Sequence, residues 1–221
     1  TLNVDGTVNL AEGSPDIGGT RTSVSQQFAE VLGISVEKVK PQIADTDSIG
    51  QTSNSAGSGV TFKTGWAAYE AACDMKNQLI ARAAQLLETE VDKITYEKGA
   101  AHCAENNETL TFAELSAQQN STGGPIVASA GVNPSGAGPT IATHIVDLAV
   151  DPDTGKVKIL RYTAVQDAGK AVHPSYVEGQ IQGGAAQGIG WALSEEYFVD
   201  EEGKMLNSSF LDYRMPTALD L

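Results

Sequence analysis

With 221 residues, 41% of them hydrophobic, 19% charged and 6% aromatic, the chain holds enough apolar material for one large domain or two small ones. Its 28 acidic side chains outnumber 14 basic ones for a formal charge of -14, so most of the surface repels nucleic acid. No stretch approaches the roughly 20 apolar residues that cross a bilayer, and no basic-then-apolar leader opens the chain, so a soluble, cytoplasmic segment without a membrane span is expected.

In chain order, Leu2 to Leu10 alternates apolar residues on either side of Asp5-Gly6, which predicts a β-hairpin. After a glycine-rich stretch from Gly13 to Gly19, Val24, Phe28, Val31 and Leu32 recur at helical spacing, with Thr22 or Ser23 to cap and Gly33 to stop. Val36 and Val39 suggest a further helical turn that Pro41 ends before an extended segment, Gln42 to Asp45. Small polar residues from Gly50 to Gly59 lead into a long helix over about 61–88, marked by Trp66, Tyr69, Cys73, Ile80, Ala84 and Leu87.

Lys93 to Tyr96 reads as a strand, Asn106-Asn107 as a turn, and Thr111 with Glu114 as the capping box of a short helix. Residues 121–139 carry three prolines and five glycines, a linker or loop composition. Residues 142–150 and 156–165 form a hairpin around Asp151 to Gly155, a helix covers about 176–195, and strands flank a turn at 200–203. The expected fold is α+β: mixed small sheets with packed helices, in two subdomains, 1–120 and 140–221, on either side of the 121–139 linker or loop.

Two glycine-rich segments are the chemical candidates. Gly13 to Thr22 would expose helix N-terminal amides to a phosphate or to the polar edge of a cofactor, with Arg21 adding charge; the plain alternative is a tight strand-to-helix turn. Glu178 to Leu193 places five glycines inside a helical pattern, each costing roughly 0.5 to 1 kcal/mol relative to alanine. Either close helix packing or close approach of a bulky ligand, with Gln182 or Gln187 donating, compensates for them. Asn54 to Gly59 is a third segment, a hydroxyl-rich loop suited to an anion.

Cys73, in an alanine-rich helix, is expected to be a buried thiol, whereas Cys103 is ambiguous. Neither has metal-ligand spacing. His102, His144 and His173 read as structural or surface residues, Glu195 and Glu196 as solvated carboxylates, and Asp45 and Asp47 as caps of the following loop.

Taken in order, Asp16-Ile17-Gly18-Gly19-Thr20-Arg21-Thr22, Ala44-Asp45-Thr46, the loop ending in Ser58, and Gly65-Trp66-Ala67-Ala68-Tyr69-Glu70-Ala71 resemble the molybdopterin-binding part of the xanthine dehydrogenase and aldehyde oxidase family of molybdenum hydroxylases. The series continues with Asp167-Ala168-Gly169, His173-Pro174, Gly179 to Gly190 and Leu211 to Pro216. The resemblance covers nearly the whole chain.

It implies a molybdenum-molybdopterin cofactor, the metal held by a pterin dithiolene, and substrates that are aldehydes or N-heterocycles hydroxylated with oxygen from water. Gly18, Gly19 and Thr20 would lie along the cofactor, Gly57 and Ser58 at its pterin or phosphate end, and Gln187, followed by Gly188, beside it. Many members read Gly-Gln-Gly where this sequence has Ile17-Gly18-Gly19, so no glutamine contact carries over to that loop. The family's active-site glutamate is expected downstream of Leu221, which leaves no catalytic residue in this segment.

The implied partners are the rest of the large subunit, iron-sulfur domains or subunits with or without flavin ones, and a small-molecule substrate. Asp16 to Thr20 also resembles the phosphate loop of actin-like sugar kinases, which sits at a hairpin between two strands. A non-catalytic structural fragment is a further alternative.

Overall fold

A computed structural model describes residues 1–49, 52–134 and 139–221. Gly50 and the 135–138 part of the expected linker lie outside the described residues. The chain divides into two compact units, Thr1–Gly136 and Ala137–Leu221. The architecture is α+β, with small sheets and packed helices.

In the first unit, strand β1 (Val8–Glu12) buries Val8, Leu10 and Glu12 and exposes Asn9 and Ala11, the alternation that a one-sided strand requires. The expected opening hairpin shrinks to one antiparallel bridge, Leu2 to Val8, around a tight turn in which the Gly6 N–H donates to Asn3. The main partner of β1 is parallel. The chain passes through helix α1 (Thr20–Leu32) and a 3-10 turn at Val36–Lys38 into β2 (Val39–Ile43). Pro41 stands inside β2 opposite Leu10 rather than ending a helical turn; in a two-stranded sheet β2 has a free edge, where a missing N–H is tolerated.

Gly33 stops α1 in the left-handed conformation (φ 63°), and it has no substitute: a Cβ there would lie 2.5 Å from the Gly99 amide nitrogen. The start of α1 departs from expectation, since its N-cap is Gly19, not Thr22 or Ser23. The short helix α2 (Thr46–Ile49) begins on Asp45, whose carboxylate accepts from the Ser48 N–H at 2.8 Å.

Helix α3 (Val60–Leu86) buries Gly65, Ala68, Ala72, Met75, Leu79 and Ala83. The small ones among them, Gly65, Ala68, Ala72 and Ala83, let α1 approach closely with Val24, Phe28 and Leu32. A side chain at position 65 would collide with the Gln27 amide, which itself donates to the Thr61 carbonyl at 3.2 Å.

A three-stranded antiparallel sheet follows, β3 (Ile94–Glu97), β4 (Ala100–Cys103) and β5 (Thr109–Thr111). Buried Tyr96 donates to the Leu32 carbonyl at 3.0 Å, which caps the end of α1, and burial raises the Tyr96 hydroxyl above its ordinary pKa. The expected capping box of Thr111 and Glu114 opens α4 (Phe112–Ala117). Beyond it, among the described residues of this unit, no helix or strand follows the 3-10 turn Gln119–Ser121, yet Ile126 is fully buried and its amide donates to the buried Gln119 side chain at 2.8 Å.

The second unit opens with the expected hairpin, β6 (Ala142–Val150) and β7 (Val157–Gln166), closed by the Asp151 carboxylate accepting from the Asp153 N–H at 2.9 Å. A bulge at Asp147 and Leu148 shifts the register. Helix α5 (Pro174–Leu193) packs against β7. The strands expected around 200–203 reduce to a single bridge, Val199 to Met205. Core burial is sparse here: Gly190 is the one buried residue of α5, and Trp191, Phe210 and Leu211 are 77%, 85% and 90% exposed.

Candidate functional site

Two glycine-rich loops of the first unit deliver the chain to helix N-termini. Gly18 and Gly19 adopt φ of 62° and 80° ahead of α1, while Gly57 and Ser58 adopt φ of 63° and 53° ahead of α3. These left-handed values explain the glycines and strain Ser58. Neither helix has a side-chain cap at its N-cap residue, Gly19 or Gly59, although one early amide of α1, that of Arg21, is taken by the Asp16 carboxylate at 3.1 Å. A Cβ added at Gly18, Gly19 or Gly57 would meet nothing within 4 Å, so these loops face open space.

The loops are stitched together beneath. Thr52 donates to the Gly13 carbonyl at 3.0 Å, and the Ser14 and Thr64 hydroxyls are hydrogen-bonded. Gly13 packs closely where it stands: a Cβ there would meet the side chains of Thr52 and Ile49, which would have to shift. Between the loops lies a cavity of about 970 Å³ walled by segments that include Gly13 to Pro15 and Ser53 to Ala56. Gly18, Gly19, Thr20, Gly57 and Ser58 do not line it; they stand on the neighbouring surface, with Thr20 half-buried and the others exposed.

Arg21 does not offer a free charge. Its Nε pairs with Asp16 at 2.7 Å, and the Arg21 N–H and guanidinium hold the Asp16 carboxyl below its usual range. Because β1 runs through this loop directly into α1 rather than into a second strand, the hairpin phosphate loop of a sugar kinase is not formed.

Glu12, which sequence reasoning missed, is the unusual group. It occupies the last inward position of β1, lines the cavity and is only 6% exposed, and among the described residues neither carboxylate oxygen has a hydrogen-bond partner. Burial first, and the negative charge of Asp16 second, push its pKa from 4.5 up to about 7, against a small opposing pull from Arg21. The signal was present as a period-two pattern, Val8-x-Leu10-x-Glu12, that points a carboxylate inward.

In the second unit, Gln187 and Gly188 are exposed on α5. A cavity of about 740 Å³ between β7 and α5 is lined by Tyr162, Gly179, Gln182 and Gly183 but by neither Gln187 nor Gly188. Gly179, Gly183, Gly184 and Gly188 have open space where a Cβ would stand, so packing within the unit does not account for them. Gly190 is the exception, since Glu195 and Pro216 fold over it. Glu195 is accordingly not a freely solvated carboxylate: it accepts from the Tyr213 hydroxyl at 2.8 Å, which pushes that hydroxyl up to about 12.

Among the histidines, His173 caps α5 by accepting from the Tyr176 N–H, a role signalled by the following Pro174. Of the cysteines, Cys103 is the buried one and Cys73 only half-buried. Among the described residues, no group of three or more His, Cys, Asp or Glu side chains is placed to hold a metal ion, and no helix is long and apolar enough to cross a membrane.

Comparison with known proteins gives these loops a context. The family described as "Molybdopterin cofactor-binding domain" matches residues 1–221. The putative xanthine dehydrogenase molybdenum-binding subunit of Escherichia coli is 34% identical over 228 residues, covering 100% of this chain and 30% of that protein. The nicotine 6-hydroxylase large subunit of Paenarthrobacter nicotinovorans is 31% identical, covering 96% and 27%.

Among solved structures, a Cu,Mo-CO dehydrogenase superposes with a TM-score of 0.88 at 26% identity over 99% of this chain and 28% of that one. Quinoline 2-oxidoreductase of Pseudomonas putida gives 0.83 at 28% identity, over 100% and 29%. The chain thus spans about 30% of the length of these relatives. With the match running from the first residue to the last, the chain belongs to the molybdopterin cofactor-binding domain family of the molybdenum hydroxylases.

Proposed function

We propose that this chain is the cofactor-gripping part of the large subunit of a molybdenum-dependent hydroxylase acting on aldehydes or N-heterocycles. The observation that carries the reading is the pair of glycine loops, each opening a helix whose N-cap is a glycine without a capping side chain, with open space over Gly18, Gly19 and Gly57. Helix N-terminal amides favour anionic and polar ligand groups, and a Cβ-free surface admits a bulky one. The residues present therefore fit a phosphorylated pterin.

On this reading Gly18, Gly19 and Thr20 lie along the cofactor, Gly57 and Ser58 meet its pterin or phosphate end, and Gln187 donates from α5 beside the Cβ-free Gly188. When bound, the group supplies two-electron redox chemistry at molybdenum. The chain's residues bind and orient it through main-chain amides and one carboxamide. Residues 1–120 and 140–221 act as two subdomains, and the base for the reaction is the family's glutamate, outside this sequence. Electrons leave through iron-sulfur and flavin domains or subunits, in keeping with relatives that are large subunits or parts of a dehydrogenase complex. A cytoplasmic setting suits two unpaired cysteines.

Metal analysis and pterin fluorescence of the complete complex test the proposal. Both molybdenum and pterin are expected near one per large subunit, and absence of both would overturn it.

A further inference from the structure

The first sheet is incomplete along one edge. Its two described strands, β1 and β2, are parallel, and parallel pairs occur chiefly inside larger, covered sheets. Peptide groups of successive strand residues point to opposite edges. The Glu12 carbonyl accepts from the Ala44 N–H on the β2 side, so Asn9, Ala11 and Gly13 present theirs on the other side. There Asn9 and Thr1 exchange two bonds of 2.9 Å, each nitrogen donating to the other's carbonyl. The Gly13 carbonyl accepts from the Thr52 hydroxyl. Between these two, nothing among the described residues pairs with the N–H or the carbonyl of Ala11 on that edge.

The gap opens into the cavity of about 970 Å³, whose lining includes Thr1, Asn9, Ala11, Gly13 and Val127. At Leu2 the same slot is filled and is one strand wide: Leu2 bridges Val8 on one side and donates to the Ile126 carbonyl at 3.0 Å on the other. A free strand edge is a liability that proteins cover. The groups to be matched at Ala11 are one N–H and one carbonyl in strand geometry, with no charge between them, so the fitting occupant is extended backbone.

We infer that the segment of the large subunit leading into Thr1 occupies this slot and continues the Leu2 to Val8 pairing as a third, antiparallel strand. The inference rests on the proposed function for a longer subunit, in keeping with relatives of which this chain covers 27% to 30%, and it assigns the cavity to the subunit's own chain. With Thr1 opposite Asn9, the residue before Thr1 stands opposite Leu10, and the one before that stands opposite Ala11 and exchanges both bonds with it. Side chains alternate along a strand, and Thr1 is exposed while Leu2 is buried. The residue opposite Leu10 is therefore apolar and joins Leu2, Val8 and Leu10 on the buried face, and the residue opposite Ala11 points outward. Thr52, seated on Gly13, ends the strand.

The test uses the complete subunit in its complex, carrying Ala11→Cys together with a cysteine two positions before Thr1. A hydrogen-bonded antiparallel pair holds its Cα atoms about 5.5 Å apart, within reach of a disulfide. Under oxidised glutathione, peptide mass spectrometry is expected to find this cross-link in at least fivefold the yield given by Ala11→Cys with a cysteine one position before Thr1, because a shift of one residue turns the side chain to the opposite face. A lower ratio, in complexes with wild-type circular dichroism, overturns the inference.

Should either cysteine pair prevent folding, hydrogen exchange of the wild-type complex decides: an Ala11 amide that exchanges within tenfold of the rate at Asn9 upholds the pairing, and faster exchange overturns it. A complex whose cross-link forms but which holds neither molybdenum nor pterin sinks the proposed function alone, so the two failures are separable.

Discussion

Replacing Glu12 by glutamine gives the sharpest stability test. The carboxyl has a folded-state pKa of about 7 against an ordinary 4.5, so between those values the folded protein binds more protons than the unfolded chain. Stability linked to this group is therefore fully present below pH 4.5 and is lost as pH rises through 7. At about 1.4 kcal/mol per pH unit, the loss comes to about 3 kcal/mol at most. Glutamine resembles the protonated acid in shape and cannot ionise, so Glu12→Gln is expected to escape the loss.

Urea unfolding of both proteins at pH 5 and pH 8 isolates the effect, because every other titrating group is common to the two. Wild type is expected to lose about 2.5 kcal/mol more than the variant across that interval, the rest being lost below pH 5. A pH-dependent difference under about 1 kcal/mol would refute the claim that a buried, unpartnered carboxylate sits at the end of β1.

Three further substitutions probe other parts of the structure. Gly33→Ala forces a side chain into a positive φ and to within 2.5 Å of the Gly99 backbone, and thermal or urea unfolding is expected to show a loss of about 2 to 4 kcal/mol. Thr111→Ala removes the hydroxyl that accepts from the Glu114 amide, with an expected loss of about 1 kcal/mol in the same assay. Gln187→Ala, at an exposed helical position, is expected to change stability by less than about 0.5 kcal/mol while lowering pterin retention in the complete complex; unchanged retention would remove Gln187 from the cofactor's surroundings.

What could be read from the sequence was local. The 3.6-residue recurrence of Val24, Phe28, Val31 and Leu32, the Thr111 and Glu114 pair, and the Asp151 to Gly155 turn each specify an element through residues a few positions apart. The ordered series of glycine-rich motifs likewise carried the family, because it depends on residue types and not on coordinates.

Contacts between distant segments were decided elsewhere. Pro41 reads as a breaker until the tertiary structure lays it beside Leu10 in a parallel pair. Gly33 reads as a helix stop, and only the approach of Gly99, 66 positions away, makes it sterically irreplaceable. The inward direction of Glu12 was encoded by alternation with Val8 and Leu10, but whether any donor would meet it was not. That depends on which loops close over the end of β1, and a long-range contact of this kind leaves no period in the sequence.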